Sequence, residues 1–178
     1  DVKPTPKPVV RVRTPNERQV TDYEVFTART QAVQSVDINP RVTGYLTKIL
    51  FKDDDEVKTG DVLFEIDDRS YKASLDQAKA GLKVAQADLT KSQAEYDIGL
   101  SVQKQNTGAM SEQEIARRLG ARDEAAASVE KAQADIELAQ LYYDWCKVRT
   151  PIDGRVSRHL VDVGNLVTEN VTTLTNVV

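Results

Sequence analysis

Four consecutive acids, Asp53-Asp54-Asp55-Glu56, form the densest run of charge in the chain, and clustered carboxylates are the usual material of a calcium loop. An EF-hand loop needs an oxygen ligand at its fifth position and a glycine at its sixth. Counted from Asp53, those positions hold Val57 and Lys58, so a structural turn is the expected role. The chain has one histidine, His159, and one cysteine, Cys146. A catalytic dyad or metal site would need partners that the sequence does not set beside His159, which reads as an ordinary strand residue. A lone cysteine can form neither an internal disulfide nor a thiolate metal site. Cys146 reads as a small packing residue, with Trp145 beside it. The sequence has no glycine-rich phosphate loop, no serine nucleophile elbow and no metal-ligand cluster. An enzyme is not expected, nor is a cofactor or a metal.

The elements that must carry these residues contain a repeat. Gly44-Tyr45-Leu46-Thr47-Lys48-Ile49-Leu50-Phe51 answers Gly154-Arg155-Val156-Ser157-Arg158-His159-Leu160-Val161, 110 residues later, and Val57 answers Val167. Pro40 and Pro151 precede the two glycines. The same offset sets Asp54 opposite Gly164, so Asp54 is expected at a turn position with φ > 0, which Asp tolerates better than most residues. A repeat split by an insertion implies one small β fold of two half-motifs, opened at its middle turn. Extended segments are expected at residues 9–13 and 20–36, and short strands around 42–46, 47–51 and 62–66. Breaks fall at Asn39-Pro40, at the acidic run and at Thr59-Gly60-Asp61.

Between the halves the hydrophobic period changes. Tyr71, Leu75, Ala78, Leu82, Ala85, Leu89, Ser92, Tyr96 and Gly99 recur in alternating steps of four and three, which is a heptad seam. Ile115, Arg118, Arg122, Ala125, Val129, Ala132, Ile136, Ala139 and Tyr143 keep the same rhythm. Neither arm contains proline, and good helix formers dominate both. In an antiparallel hairpin facing residues share a constant sum of positions, and 214 serves every pair from Tyr71–Tyr143 through Leu82–Ala132 to Gly99–Ile115. Several pairs set a large side chain against alanine, as close helix packing requires. The outer pairs, Ser92–Arg122 and Tyr96–Arg118, are wetter, and both arginines are expected to snorkel into solvent. The midpoint is Thr107, next to Gly108, and Ser111 with Glu114 forms a capping box for the second helix. At ~1.5 Å per residue the arm extends roughly 55 Å.

Across 178 residues, 40% apolar and 29% charged content is ordinary for a globular protein, and the net charge of −4 is small. Lys and Arg are scattered without a basic stripe, so nucleic acid is not an expected partner. No apolar stretch approaches the ~18 residues of a membrane helix, and no signal peptide is visible. Residues 1–8 read as a polyproline-type lead-in, and residues 174–178 as an apolar run. A piece of a longer chain is expected.

The split repeat resembles the biotinyl/lipoyl domain, a flattened barrel of two interlocked half-motifs. In cofactor-carrying members a lysine sits on the tight turn joining the halves. Here the hairpin replaces that turn from Asp67-Asp68-Arg69 onward, and Lys72 lies on a helix one position after a seam residue. The chain more closely resembles the periplasmic adaptor subunits, or membrane fusion proteins, of tripartite efflux pumps served by RND (resistance-nodulation-division) transporters. The residues that carry the likeness are Pro40-Arg41-Val42-Thr43-Gly44-Tyr45-Leu46 and Val57-Lys58-Thr59-Gly60-Asp61-Val62-Leu63-Phe64-Glu65-Ile66-Asp67. Lys147-Val148-Arg149-Thr150-Pro151-Ile152-Asp153-Gly154-Arg155-Val156-Ser157, Val163-Gly164-Asn165-Leu166-Val167 and Gly108-Ala109-Met110-Ser111 complete it.

The resemblance implies an α+β fold: a lipoyl-like (barrel-sandwich hybrid) β domain of two half-motifs split by a long antiparallel α-helical coiled-coil hairpin. Residues 1–36 would be the lead-in and first strands of incomplete β-barrel and membrane-proximal domains. Residues 37–68 and 147–173 would form the lipoyl-like halves, 69–146 the hairpin, and 174–178 the start of a strand toward a further β-barrel domain. The implied role is a non-enzymatic periplasmic adaptor, anchored at the inner membrane of a Gram-negative-type cell. It would grip an RND-type transporter, dock an outer-membrane channel at the hairpin tip, and pack side by side into a ring, commonly a hexamer. Adaptors that dock TolC-like channels carry an Arg and a Leu eleven and seven residues before the tip serine. Here those positions are Leu100 and Lys104, while the serine is present as Ser111. The candidate docking tip is Leu100, Gln103, Lys104, Asn106, Gly108, Met110 and Ser111. The architecture is shared by adaptors of ABC-type exporters and type I secretion systems, and more remotely by lipoyl or biotinyl carriers.

Overall fold

The computed structural model describes residues 2–105 and 110–178. Contacts divide the chain into a unit ending at Gln31 and a second from Ala32 to Val178. In the first, residues 2–31 carry neither helix nor strand and are exposed throughout. The extended segments expected at 9–13 and 20–36 therefore reduce to β1 (Val36–Ile38). Alternation of Val, Tyr and Phe supplies one face of a strand, but a ladder also needs a partner edge, and among the described residues none pairs with residues 2–35.

The second unit runs β1, β2 (Gly44–Ile49), β3 (Glu56–Val57), β4 (Val62–Ile66), α1 (Arg69–Gln105), α2 (Glu112–Trp145), β5 (Lys147–Arg149), β6 (Gly154–Arg155), β7 (Leu166–Val167) and β8 (Thr175–Val177). The two strands expected at 42–46 and 47–51 are one, β2, bent by a bulge between Leu46 and Lys48 where it pairs with β4. A four-stranded sheet has the order β5-β4-β2-β7, and β1-β8 and β3-β6 form two-stranded sheets.

The repeat becomes an interlock. In β2–β7, Gly44 faces Val167 and Tyr45 faces Leu166. In β3–β6, Gly154 faces Val57 and Arg155 faces Glu56. All four positions keep the 110-residue offset, so each half lends its glycine strand to the other half's valine turn. The turns obey the same relation. Gly164 N–H donates to the Leu46 carbonyl at 2.8 Å, and Asp54 N–H donates to the Val156 carbonyl at 3.0 Å. Asp54 has φ 69° and Gly164 φ 93°, as the repeat predicts. Both repeat glycines sit where a side chain would collide: a Cβ at Gly44 would lie 2.6 Å from Ile66 Cγ2, and one at Gly154 would meet the Val178 carbonyl.

The core gathers Leu46, Leu63, Phe64, Val156, Val167, Leu174 and Val177, all almost wholly buried. Each such burial contributes roughly 1.5–3 kcal/mol. Phe51 stands edge-on to Phe64, with ring centroids 5.2 Å apart. The buried hydroxyls are satisfied: Thr150 donates to the Ile152 carbonyl, and Thr175 reaches the carbonyls of Ser157 and Arg158. Residues 174–178, expected as the start of a strand toward a further β-barrel domain, form β8 and add Leu174 and Val177 to this core. β8 pairs with β1 and bridges Val156, because Leu174 and Val177 fill the place in the second half that the β4 side chains hold in the first.

Candidate functional site

Two helices of 37 and 34 residues leave and rejoin this base. Every predicted seam position of α1 and α2 is buried or half-buried, whereas most other positions along the arms are exposed. Contacts across the hairpin keep close to the predicted sum. Arg118 Nη1 donates to the Glu95 carbonyl at 2.7 Å, and the rings of Tyr71 and Tyr142 stack with centroids 6.5 Å apart. The ring opposite Tyr71 thus belongs to Tyr142, one position before the expected Tyr143, because the aromatic faces meet beside the seam.

Where the hairpin joins the base, backbone and side-chain groups of the first half-motif clamp it. Tyr71 Oη donates to the Thr43 carbonyl at 2.9 Å, and Ile66 N–H donates to the Cys146 carbonyl at 2.8 Å. Arg69 chelates Asp67 at 2.6–3.2 Å and holds that carboxyl down at about 2. Trp145 stands edge-on to Tyr142 at 5.5 Å, and the Arg41 guanidinium lies 5.6 Å above the Trp145 ring. Cys146 is buried, as its seam spacing predicts, and burial pushes its thiol up to about 11. Lys72 is exposed in the first turn of α1.

Toward the far end the seam turns polar. Arg118 does not snorkel outward: its guanidinium is held by Glu95 and by Glu114 at 3.0 Å, and its stem covers Gly99. Arg122 lies 5.5 Å over the Tyr96 ring, pairs with Asp123 at 2.5 Å and keeps its Nε buried without a hydrogen-bond partner among the described residues. The Tyr96 ring for Arg122, and the Glu95 carbonyl, Glu114 and Gly99 for Arg118, offer partners on the seam, so both arginines stay there. Ser111 caps α2, its hydroxyl accepting from Glu114 N–H at 3.2 Å. The capping box is half-formed, because the Glu114 carboxylate turns to Arg117 and Arg118 instead of back to Ser111. Those two guanidinium groups hold Glu114 at about 2. Of the candidate tip residues, Lys104 and Ser111 are exposed and Leu100, Gln103 and Met110 half-buried. Met110 sulfur sits where a methyl on Gly99 would come within 3.2 Å of it. Asn106, Thr107 and Gly108 lie outside the described residues.

His159 is not a strand residue. The two interlocked turns bring Asp53 to it from 106 positions away, Nδ1 to Oδ1 at 2.9 Å, and Asp162 stands 3.6 Å from Nε2. The Asp53 hydrogen bond raises the imidazole pKa, and His159 in turn lowers that of Asp53. No sequence signal pairs these residues except the repeat itself, which sets Asp53 beside the turn preceding Gly164. Arg41 and Tyr142 likewise had no signal, since their partners are set by the hairpin's angle of exit. Among the described residues no group of three or more His, Cys, Asp or Glu side chains is arranged to hold a metal ion.

An interlocked β base that holds a long two-helix arm is the architecture of membrane fusion proteins. It superposes on a MacA–MexA chimera that contains the Pseudomonas aeruginosa MexA α-hairpin domain, with a TM-score of 0.64 and 28% identity, over 83% of this chain and 48% of that one. MacA from Actinobacillus actinomycetemcomitans gives 0.58 and 29%, over 83% and 49%. Residues 34–178 match the family model "RND MFP, barrel-sandwich hybrid domain", and the chain belongs to that family. It is 34% identical over 164 residues to multidrug resistance protein MdtA of Klebsiella pneumoniae, covering 92% of this chain and 39% of that protein. Identity to MdtA of Escherichia coli O157:H7 is 33% over the same shares. The chain thus spans about two-fifths of the length of these relatives.

Proposed function

We propose that this chain is the central part of a periplasmic adaptor for drug efflux, joining an inner-membrane RND-type transporter to an outer-membrane channel. The observation that carries this reading is the clamp on the hairpin. Both ends of a two-helix arm are fixed into one β core by Ile66–Cys146 and Tyr71–Thr43, and the Tyr71–Tyr142 stack ties the two helices together at that end. Its seam is closed from Tyr71 to Gly99, so force at one end reaches the other without bending an unpacked joint. The arm is roughly 55 Å long, enough to hold a docking tip well away from its base. The match to an RND family model favours that transporter class over an ABC-type partner.

In this reading Leu100, Gln103, Lys104, Met110 and Ser111, with Asn106 and Gly108, meet the channel, and the β bases pack side by side into a ring, commonly of six. The test is site-specific photocross-linking from Lys104 in the full-length protein in its host. Adducts with an outer-membrane channel are the expected result. Adducts only with inner-membrane or unrelated proteins, at wild-type expression, would remove the docking role. Native mass spectrometry of the full-length protein checks the ring, and a strictly monomeric species would count against it.

A further inference from the structure

The hairpin changes character partway along its length. From Leu75–Ala139 to Leu89–Ala125 every facing pair on the seam is apolar, and beyond that layer the pairs become Ser92–Arg122 and Tyr96–Arg118. Burial along the seam is what holds two such helices together, since each is apolar along one stripe. Two of the three glycines within α1 and α2, Gly99 and Gly120, also fall in this outer stretch and weaken its helices. A Cβ on Gly120 would meet nothing within 4 Å, so packing does not require that glycine.

Two arginines of α2 close the outer stretch. Among the described residues one hydrogen bond crosses between the helices, from Arg118 Nη1 to the Glu95 carbonyl at 2.7 Å, and one cation crosses to a ring, Arg122 over Tyr96 at 5.5 Å. Arg118 lies across Gly99, its Cδ 3.3 Å from where a Cβ would stand, so its stem fills the space of the missing side chain. Glu114 holds the same guanidinium at 3.0 Å from its own helix and keeps it aimed across the seam. Closure leaves one group unsatisfied, because Arg122 Nε is buried with no hydrogen-bond partner among the described residues. That N–H regains a hydrogen bond from water when the helices part.

We infer that the hairpin is two cooperative units: an inner arm that opens only with the base, and an outer arm, latched by Arg118, that opens and recloses by itself. The outer arm comprises Ser92 to Gln105 of α1 and Glu112 to Arg122 of α2. The inner arm shares the clamp at the base, through Tyr71–Thr43 and Ile66–Cys146, whereas the outer arm has no such anchor. The ease of local opening follows the buried apolar contact of a segment, and here that contact falls at a single layer. The far end of the arm thus has a closed and an open state while the base and the inner arm stay folded. The device is a property of the arm, so the adaptor reading survives its failure.

Residue-resolved amide hydrogen exchange of the 178-residue chain is the test. Protection is expected to drop roughly tenfold in one step between Leu89 and Ser92 on α1, and between Ala125 and Arg122 on α2. Arg118→Ala should speed exchange roughly fivefold at Ser92–Ser101 on the opposite helix and leave Ala78–Leu89 unchanged. Gly120→Ala, a better helix former in open space, should slow the same α1 residues roughly threefold, because the two outer stretches open together. A smooth decline in protection from tip to base, which end fraying gives, would overturn the two-unit hairpin. So would an Arg118→Ala effect confined to α2 or shared equally by the inner arm, and so would slowing by Gly120→Ala in α2 alone.

Discussion

His159 and Asp53 form a bond between halves of the chain that are far apart in sequence, and its energy depends on pH. The imidazole pKa is raised in the fold, so the pair contributes stability that is full below the unfolded value of about 6.5 and is lost as pH rises through the folded value. At the acid end protonation of Asp53 removes it again. Thermal melts should therefore show His159→Gln costing more at pH 5.5 than at pH 8.5, where the two proteins converge. An equal deficit at both values would mean that packing, and not the ion pair, is what the variant loses. Cys146 makes a second residue-scale prediction. A buried thiol at about 11 is almost wholly protonated at neutral pH, so a disulfide reagent should label it slowly in native protein and fast in denaturant. The turn pair makes a third. Asp54→Gly relieves a left-handed conformation and should stabilise by up to ~1 kcal/mol in urea titrations, whereas Gly164→Ala should destabilise by a similar amount.

The hairpin is amphipathic along one stripe per helix, so its stability is a matter of register. A cysteine pair at Leu82 and Ala132, with Cys146→Ser, should close within one chain under mild oxidation, and pairs displaced by one seam step on one arm should not. Leu75 is the most buried large seam residue of α1, and Leu75→Ala should cost about 2–4 kcal/mol, whereas Leu82→Ala, half-buried, costs less. Polar layers near the far end hold register by bonds that an apolar seam lacks. Glu114, one turn earlier on the same helix, holds the Arg118 guanidinium while it donates to the Glu95 carbonyl across the seam, and a shift by one turn breaks that cross-helix bond. The cross-link pattern of an Arg118→Leu variant near Gly99 reports that loss.

In the whole molecule the two half-motifs exchange strands, so neither can fold without the other. The close approach at Gly154 is the point where this exchange is tightest, since a methyl there meets the backbone of the last residue. Gly154→Ala is expected to destabilise by about 1–3 kcal/mol and to loosen β8, which hydrogen exchange would show as faster opening at Thr175–Val177. The hairpin should remain helical in that variant but lose the angle at which the base holds it. That separation between element and assembly follows from where the stabilising contacts lie: within the seam for the arm, between the halves for the base.

Periodicity and repetition were enough to write down most of this fold. A heptad seam is a property of spacing, and a 110-residue echo of glycine, valine and turn residues specified both the interlock and the left-handed φ of Asp54. What no pattern supplied were contacts between residues with no shared rhythm. Asp53 meets His159, Arg41 covers Trp145 and β8 turns back to β1 because the closed base sets distances that spacing along the chain does not encode, and Arg118 stays on the seam because Glu95 and Glu114 hold it there. Strand character at residues 9–13 and 20–35 was legible, yet no strand formed, since a β ladder belongs to two edges and a sequence describes one at a time.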